Sequence, residues 1–74
     1  MSDDLRLTGE QFALAMQHLL KEDFITGNTF CRLCNQHRSS QSYWRKNGIK
    51  GAPAKMLYDL IGKEKWEEIR GATT

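Results

Sequence analysis

Phe30-Cys31-Arg32-Leu33-Cys34-Asn35-Gln36-His37-Arg38-Ser39-Ser40-Gln41-Ser42-Tyr43-Trp44-Arg45-Lys46-Asn47-Gly48 is the stretch on which the fold of this chain turns. It holds two short helical signals split by a polar turn. Phe30, Leu33 and Cys34 stand at i, i+3 and i+4, which puts them on one side of a helix over about residues 29–35, with Cys31 beside them and Arg32 and Asn35 opposite. Asn28 or Thr26 is available as its N-cap. Ser39 or Ser40 can cap a second helix over about residues 40–46, which Asn47-Gly48 stops because both residue types tolerate left-handed backbone. Only about three or four residues remain between the two, so the helices must cross at a large angle.

Toward the N-terminus, Thr8-Gly9-Glu10-Gln11 is a capping box, and Phe12, Ala15, Met16, Leu19 and Leu20 then recur along one helical face. This predicts a helix over about residues 9–20. The polar Lys21-Glu22-Asp23 ends it, and Phe24-Ile25 reads as a short apolar piece that tucks under the core. Toward the C-terminus, Gly51-Ala52-Pro53 starts a helix over about residues 53–61 with the stripe Ala54, Met56, Leu57, Leu60 and Ile61, and Gly62 stops it. A last helix over about residues 63–70 carries Trp66 and Ile69. No segment alternates as a strand does. The expectation for residues 1–74 is a single all-α domain, a compact bundle of four to five short helices containing a helix-turn-helix.

A chain of 74 residues has room for little beyond that core, and a deep catalytic cleft between domains is excluded by size. The two cysteines, Cys31 and Cys34, are too close in sequence for a bridge to constrain much. No apolar run approaches the roughly 18 residues of a membrane span, and Met1-Ser2-Asp3-Asp4 is acidic where a signal peptide is basic. The expected location is therefore the cytoplasm.

The net charge of +2 hides a strong segregation. Residues 1–23 carry five acids against two bases, residues 24–58 carry six bases and no acid, and residues 59–74 carry four acids against three bases. A basic block of this kind suits a polyanion, because Lys and Arg beside phosphates release condensed counterions. The same block also suits a solvated basic face.

The stretch from Phe30 to Gly48 resembles the helix-turn-helix of the lambda-repressor-like (Cro/Xre-type) family. Leu7-Thr8-Gly9-Glu10-Gln11-Phe12 is similar to the family's Leu-Thr-x-x-x-Phe first helix, and Gly48-Ile49-Lys50-Gly51-Ala52-Pro53-Ala54-Lys55-Met56-Leu57 is similar to its lead into a Leu-rich helix. In this alignment the family's small residue falls on Cys31, its turn residue on Asn35 and its core aromatic on Trp44. Gln36 and Gln41 depart from the pattern, falling where the family buries aliphatic side chains. The resemblance spans residues 7 to about 61. It implies a DNA-binding regulator of bacterial or phage repressor type, reading the major groove with the third helix.

The residue chemistry agrees with that implication. A helix in the major groove needs small polar side chains near its N-terminus to reach base edges, and cations to reach phosphates. His37, Arg38, Ser39, Ser40, Gln41, Ser42, Tyr43, Arg45 and Lys46 form that set, with Lys50 just after it and the amides near Asn28 and Thr29 as phosphate donors. One short helix covers too little surface for tight specific binding, so a homodimer on a two-fold site is expected, with Leu60, Ile61, Trp66 and Ile69 as one candidate interface, although Trp66 on a short terminal helix reads rather as a residue that closes the core. Double-stranded DNA is the expected partner, with no membrane and no small-molecule substrate.

Two other readings stand beside this one. A helical bundle with a basic face can hold an acidic protein partner. Cys31-x-x-Cys34-x-x-His37 resembles part of a zinc site, although only His18 is left as a further imidazole ligand and both cysteines fall on the buried side of their helix. No metal or cofactor is expected. No catalytic apparatus is visible either, since the acids lie toward the ends and no phosphate loop or nucleophile elbow is present, so the chain is not expected to be an enzyme.

Overall fold

The computed structural model describes residues 5–72. The acidic Met1 to Asp4, read above against a signal peptide, lies outside the described residues. The elements in order are β1 (Arg6–Leu7), α1 (Gly9–Asp23), α2 (Gly27–Leu33), α3 (Ser40–Asn47), β2 (Ile49–Lys50), α4 (Ala52–Ile61) and α5 (Lys63–Ala72). The bundle is mostly helical, as the periodicity predicts. Among the described residues no helix is long and apolar enough to cross a membrane.

α1 begins on the capping box read from the sequence. The Gln11 amide N–H donates to Thr8 Oγ1 at 3.1 Å, and the Thr8 N–H donates back to Gln11 Oε1 at 2.9 Å. Gln11 also donates from Nε2 to the Arg70 carbonyl at 3.2 Å, so one buried side chain both caps α1 and ties it to α5. Phe12, Ala15, Met16 and Leu19 are buried as their spacing requires. Leu20, expected on the same face, is 54% exposed. α1 runs through the polar Lys21-Glu22-Asp23 and stops at Phe24, whose left-handed backbone (φ 56°) lets its N–H and that of Ile25 reach the Leu19 carbonyl. Phe24 therefore takes the cap position and projects into solvent, 85% exposed, while only Ile25 turns back as a half-buried residue. The expectation that both tuck under the core fails for Phe24.

Three aromatic rings from three helices form the centre. Trp44 of α3 lies edge-on to Phe12 of α1 at 5.5 Å and to Phe30 of α2 at 5.7 Å, and Phe12 and Phe30 are tilted at 6.3 Å. Such pairs contribute about 0.5–1.5 kcal/mol each beyond their area burial. α4 adds Ala54 and Leu57 to this core, and α5 adds Trp66 and Ile69, with Tyr58 edge-on to Trp66 at 5.4 Å. Trp66 and Ile69 are 2% and 3% exposed, so they close the core and are not open to a second chain. Among the described residues the Trp66 indole N–H finds no acceptor, a desolvation cost of about 1–3 kcal/mol set against a large buried ring.

The sequence predicts no strand, yet β1 and β2 pair antiparallel, with Leu7 opposite Ile49 and Arg6 opposite Lys50. Two residues per strand are too few for alternation to register. The ladder nonetheless buries Leu7 and Ile49 and leaves Arg6 and Lys50 exposed. Gly48 makes it possible: its φ of 92° is unfavourable for an L side chain, and a Cβ there would overlap the Leu7 carbonyl.

Candidate nucleic-acid interface

The basic block folds into α2, the turn after it, α3 and β2. Thr26, not Asn28, caps α2, accepting the Thr29 N–H at 3.2 Å, which starts the helix at Gly27 and ends it at Leu33. Phe30 and Cys31 face the core, Cys34 is half-buried beyond the helix end, and Leu33, expected inside, is 47% exposed. The connection to α3 is then residues 34–39, longer than the spacing suggests. Asn35 is left-handed (φ 59°), so the Gln36 N–H reaches the Cys31 carbonyl at 2.8 Å and the Asn35 N–H reaches the Arg32 carbonyl at 3.0 Å. These are the two bonds of a Schellman stop, with Asn where Gly is usual.

Neither Ser39 nor Ser40 caps α3 with its hydroxyl, contrary to expectation. Ser39 already has helical backbone, and the start of α3 is wound by i to i+3 bonds onto the carbonyls of His37, Arg38 and Ser39. The Ser39 N–H instead donates to His37 Nδ1 at 3.1 Å, and Ser39 Oγ lies 2.9 Å from the same nitrogen. A histidine ring thus does the capping, one turn earlier than the serines predict.

Trp44 fixes which way α3 faces. With Trp44 inward, Ser42, Tyr43, Arg45, Lys46 and Asn47 are exposed, and Ser40 and Gln41 are half-buried. Gln41 occupies the position expected to be aliphatic and solves its polarity locally. Its Nε2 donates to Asn28 Oδ1 at 2.9 Å and to the Arg38 carbonyl at 3.3 Å, which joins the start of α2 to the start of α3.

The candidate residues divide into three places. Asn28, Thr29, His37 and Arg38 line one open depression of about 400 Å³, together with Gln36 and Arg32. Arg32 is absent from the site expected from the sequence, although its place opposite the apolar face of α2 marks it as an exposed cation. Arg45 leans the other way, with its guanidinium 6.0 Å from the Phe12 ring, into a smaller depression with Met16 and Leu20. Tyr43 and Lys50 meet on the far flank of α3, beside β1. Ser42 and Lys46 stand between these places on the outward side of α3. Arg32, Arg38, Lys46 and Lys50 have no carboxylate partner among the described residues, whereas the lysines of α4 and α5 include two that do, Lys55 with Asp59 at 3.0 Å and Lys65 with Glu68 at 3.4 Å.

Both cysteines are free thiols. Burial pushes the Cys34 thiol up to about 11, with Cys31 beside it adding to the rise. Burial also raises Cys31, partly offset by the Gln41 backbone N–H. Groups held in the protonated form are poor metal ligands and weak nucleophiles. Among the described residues no three His, Cys, Asp or Glu side chains come together in a way that could hold a metal ion.

Comparison of the chain with protein-family models, with curated proteins and with solved structures finds no match.

Proposed function

We propose that this chain is a sequence-specific DNA-binding regulator that enters the major groove with α3 in the manner of a helix-turn-helix. The observation that carries the reading is the two-sidedness of α3. Trp44 is held in an aromatic core by Phe12 and Phe30, and the opposite side shows Ser42, Tyr43, Lys46 and Asn47 with no acid nearby in the chain. Gln41 and Asn28, held in one hydrogen-bonded pair, sit where α2 and α3 begin; both Gln41 Nε2 hydrogens are engaged there, which leaves Gln41 Oε1 and the Asn28 amide hydrogens to meet a base edge. Arg38, with Arg32 across the turn, supplies phosphate contacts.

In this reading the protein acts as a repressor-type factor, and a second copy on a two-fold site completes the specificity that one helix of this length lacks. The half-buried Leu60 and Ile61 are the part of the expected dimer patch still open to a second copy. Binding to random-sequence duplex at low salt, falling steeply as salt rises and lost on Arg38→Ala with Lys46→Ala, is the expected result. No binding at low salt refutes the reading. One observation favours a second reading, a module that holds another protein: Leu20 and Phe24 stand exposed together at the end of α1. A chain that ignores DNA but loses a protein partner on Phe24→Ala supports that alternative.

A further inference from the structure

The end of α1 carries a knob and, beside it, a hole. Phe24 holds the left-handed cap of α1 and is 85% exposed, and Leu20, four residues before it, is 54% exposed. Next to them α1, the start of α2 and the end of α3 enclose a depression of about 210 Å³, whose lining includes Ala13, Met16, Leu20, Thr26 and Arg45. A cavity of roughly 150 Å³ already takes a benzene ring, so this one is wide enough for the ring of a phenylalanine. The chain's own Phe24 does not fill it, since that ring stands in solvent.

Charge divides across the same surface. Asp23 lies three residues after Leu20 and seven after Met16, which puts it on the face of α1 that lines the depression, while Arg45 lines it from α3. Both are exposed, and among the described residues neither is ion-paired; Arg45 has only the Phe12 ring, 6.0 Å away. A face that holds a knob, a hole, an acid and a base is complementary to its own copy turned by half a rotation, because an isologous interface sets each feature against its counterpart twice. We propose that a second copy of this chain docks here about a two-fold axis beside Leu20. Phe24 of each copy enters the depression of the other, and Asp23 of each meets Arg45 of the other.

This inference goes beyond the DNA-binding reading. It moves the contact between copies from Leu60 and Ile61 to the end of α1, and Arg45 then serves the dimer and not a phosphate. Two Phe24 rings of about 150–250 Å² each, with the Leu20 side chains between them, fall short of the roughly 1,200 Å² at which stable complexes begin. The free dimer is therefore weak and strongly concentration-dependent. Its test contains no DNA, so failure of either reading leaves the other standing.

Sedimentation velocity of the chain alone, over a concentration series, reads the association. The wild type is expected to pass from monomer toward dimer below about 1 mM. Phe24→Ala, at an exposed position that leaves the circular dichroism unchanged, is expected to weaken the dimer by more than about tenfold. Asp23→Lys and Arg45→Glu each set like charges together twice in one dimer and should weaken it by at least about fivefold. An equal mixture of these two single variants restores both attractive pairs, and should associate within about twofold of the wild type. Random apolar clumping, or a dimer built on Leu60 and Ile61, would ignore the reversals. A wild type that stays monomeric up to about 1 mM overturns the proposal, as does association that survives Phe24→Ala, or weakened single variants that mixing does not rescue. A monomer that uses Phe24 to hold a different protein overturns it too. If Arg45→Glu melts well below the wild type, Phe24→Ala and Asp23→Lys decide.

Discussion

Glycine to alanine at three helical positions should change stability with different signs, and the contrast tests how α1 is packed. Gly9 is the first residue of α1, where alanine ordinarily favours the helix by up to about 1 kcal/mol. A Cβ at Gly9, however, would overlap the backbone carbonyl of Arg45, near the end of α3. The obstacle is main chain, so α1 must move away from α3, and that movement opens the contact between Phe12 and Trp44. Overpacking of this kind costs about 1–3 kcal/mol, which leaves a net loss of about 1–2 kcal/mol for Gly9→Ala. At Gly71 in α5 a Cβ meets nothing within 4 Å, so Gly71→Ala is expected to stabilise by a few tenths of a kcal/mol, less than the helix-interior value because the helix is ending. At Gly27 the obstacle is the end of the Gln41 side chain, which can swing away, so Gly27→Ala should cost little stability yet break the Gln41–Asn28 pair. Thermal unfolding reads the series. For a domain of this size each kcal/mol is about 4–8 °C, so Gly9→Ala should melt roughly 5–15 °C below the wild type and Gly71→Ala slightly above it. A Gly9→Ala protein that melts at or above the wild-type temperature would refute the close approach of α1 to α3.

Three further outcomes are expected. Trp44→Ala removes a ring that touches both Phe12 and Phe30, a loss of about 3–5 kcal/mol out of a total of roughly 4–11 kcal/mol, and should lower the melting temperature read by circular dichroism by about 12–40 °C, while Trp44→Phe loses much less. Because the folded Cys34 thiol is held up at about 11, above an unfolded value near about 8.5, its contribution is fully present below pH 8.5 and is lost as pH rises through 11; urea midpoints of the wild type should therefore fall more across this window than those of Cys34→Ala. Excess chelator should leave the melting temperature unchanged, and a drop reversed by added zinc would show that Cys31, Cys34 and His37 do converge on metal.

What sequence reading recovers here is local. The capping box at Thr8 and Gln11 and the stops at Gly48 and Gly62 are all set within about one helical turn of the residues that signal them. Their physics needs no distant partner. The errors are of the opposite kind. Leu20 and Leu33 have helical spacing suited to burial but stand at helix edges that no neighbour covers. Phe24 is apolar, yet the left-handed cap it occupies turns it outward.

The candidate interface divides in the same way. Its basic and polar composition is legible along residues 24–58, and so is the outward side of α3 once Trp44 is assigned to the core. Legible only in three dimensions are the Gln41–Asn28 pair, the turning of Arg45 toward the Phe12 ring, the gathering of Arg32 with Arg38, and the pairing of Arg6 with Lys50. Helix start and stop signals are short-range free energies that the chain carries residue by residue. Which cations share a depression depends on how α1, α3 and the ribbon pack, and that packing is decided by side chains from opposite ends of the chain meeting in one core.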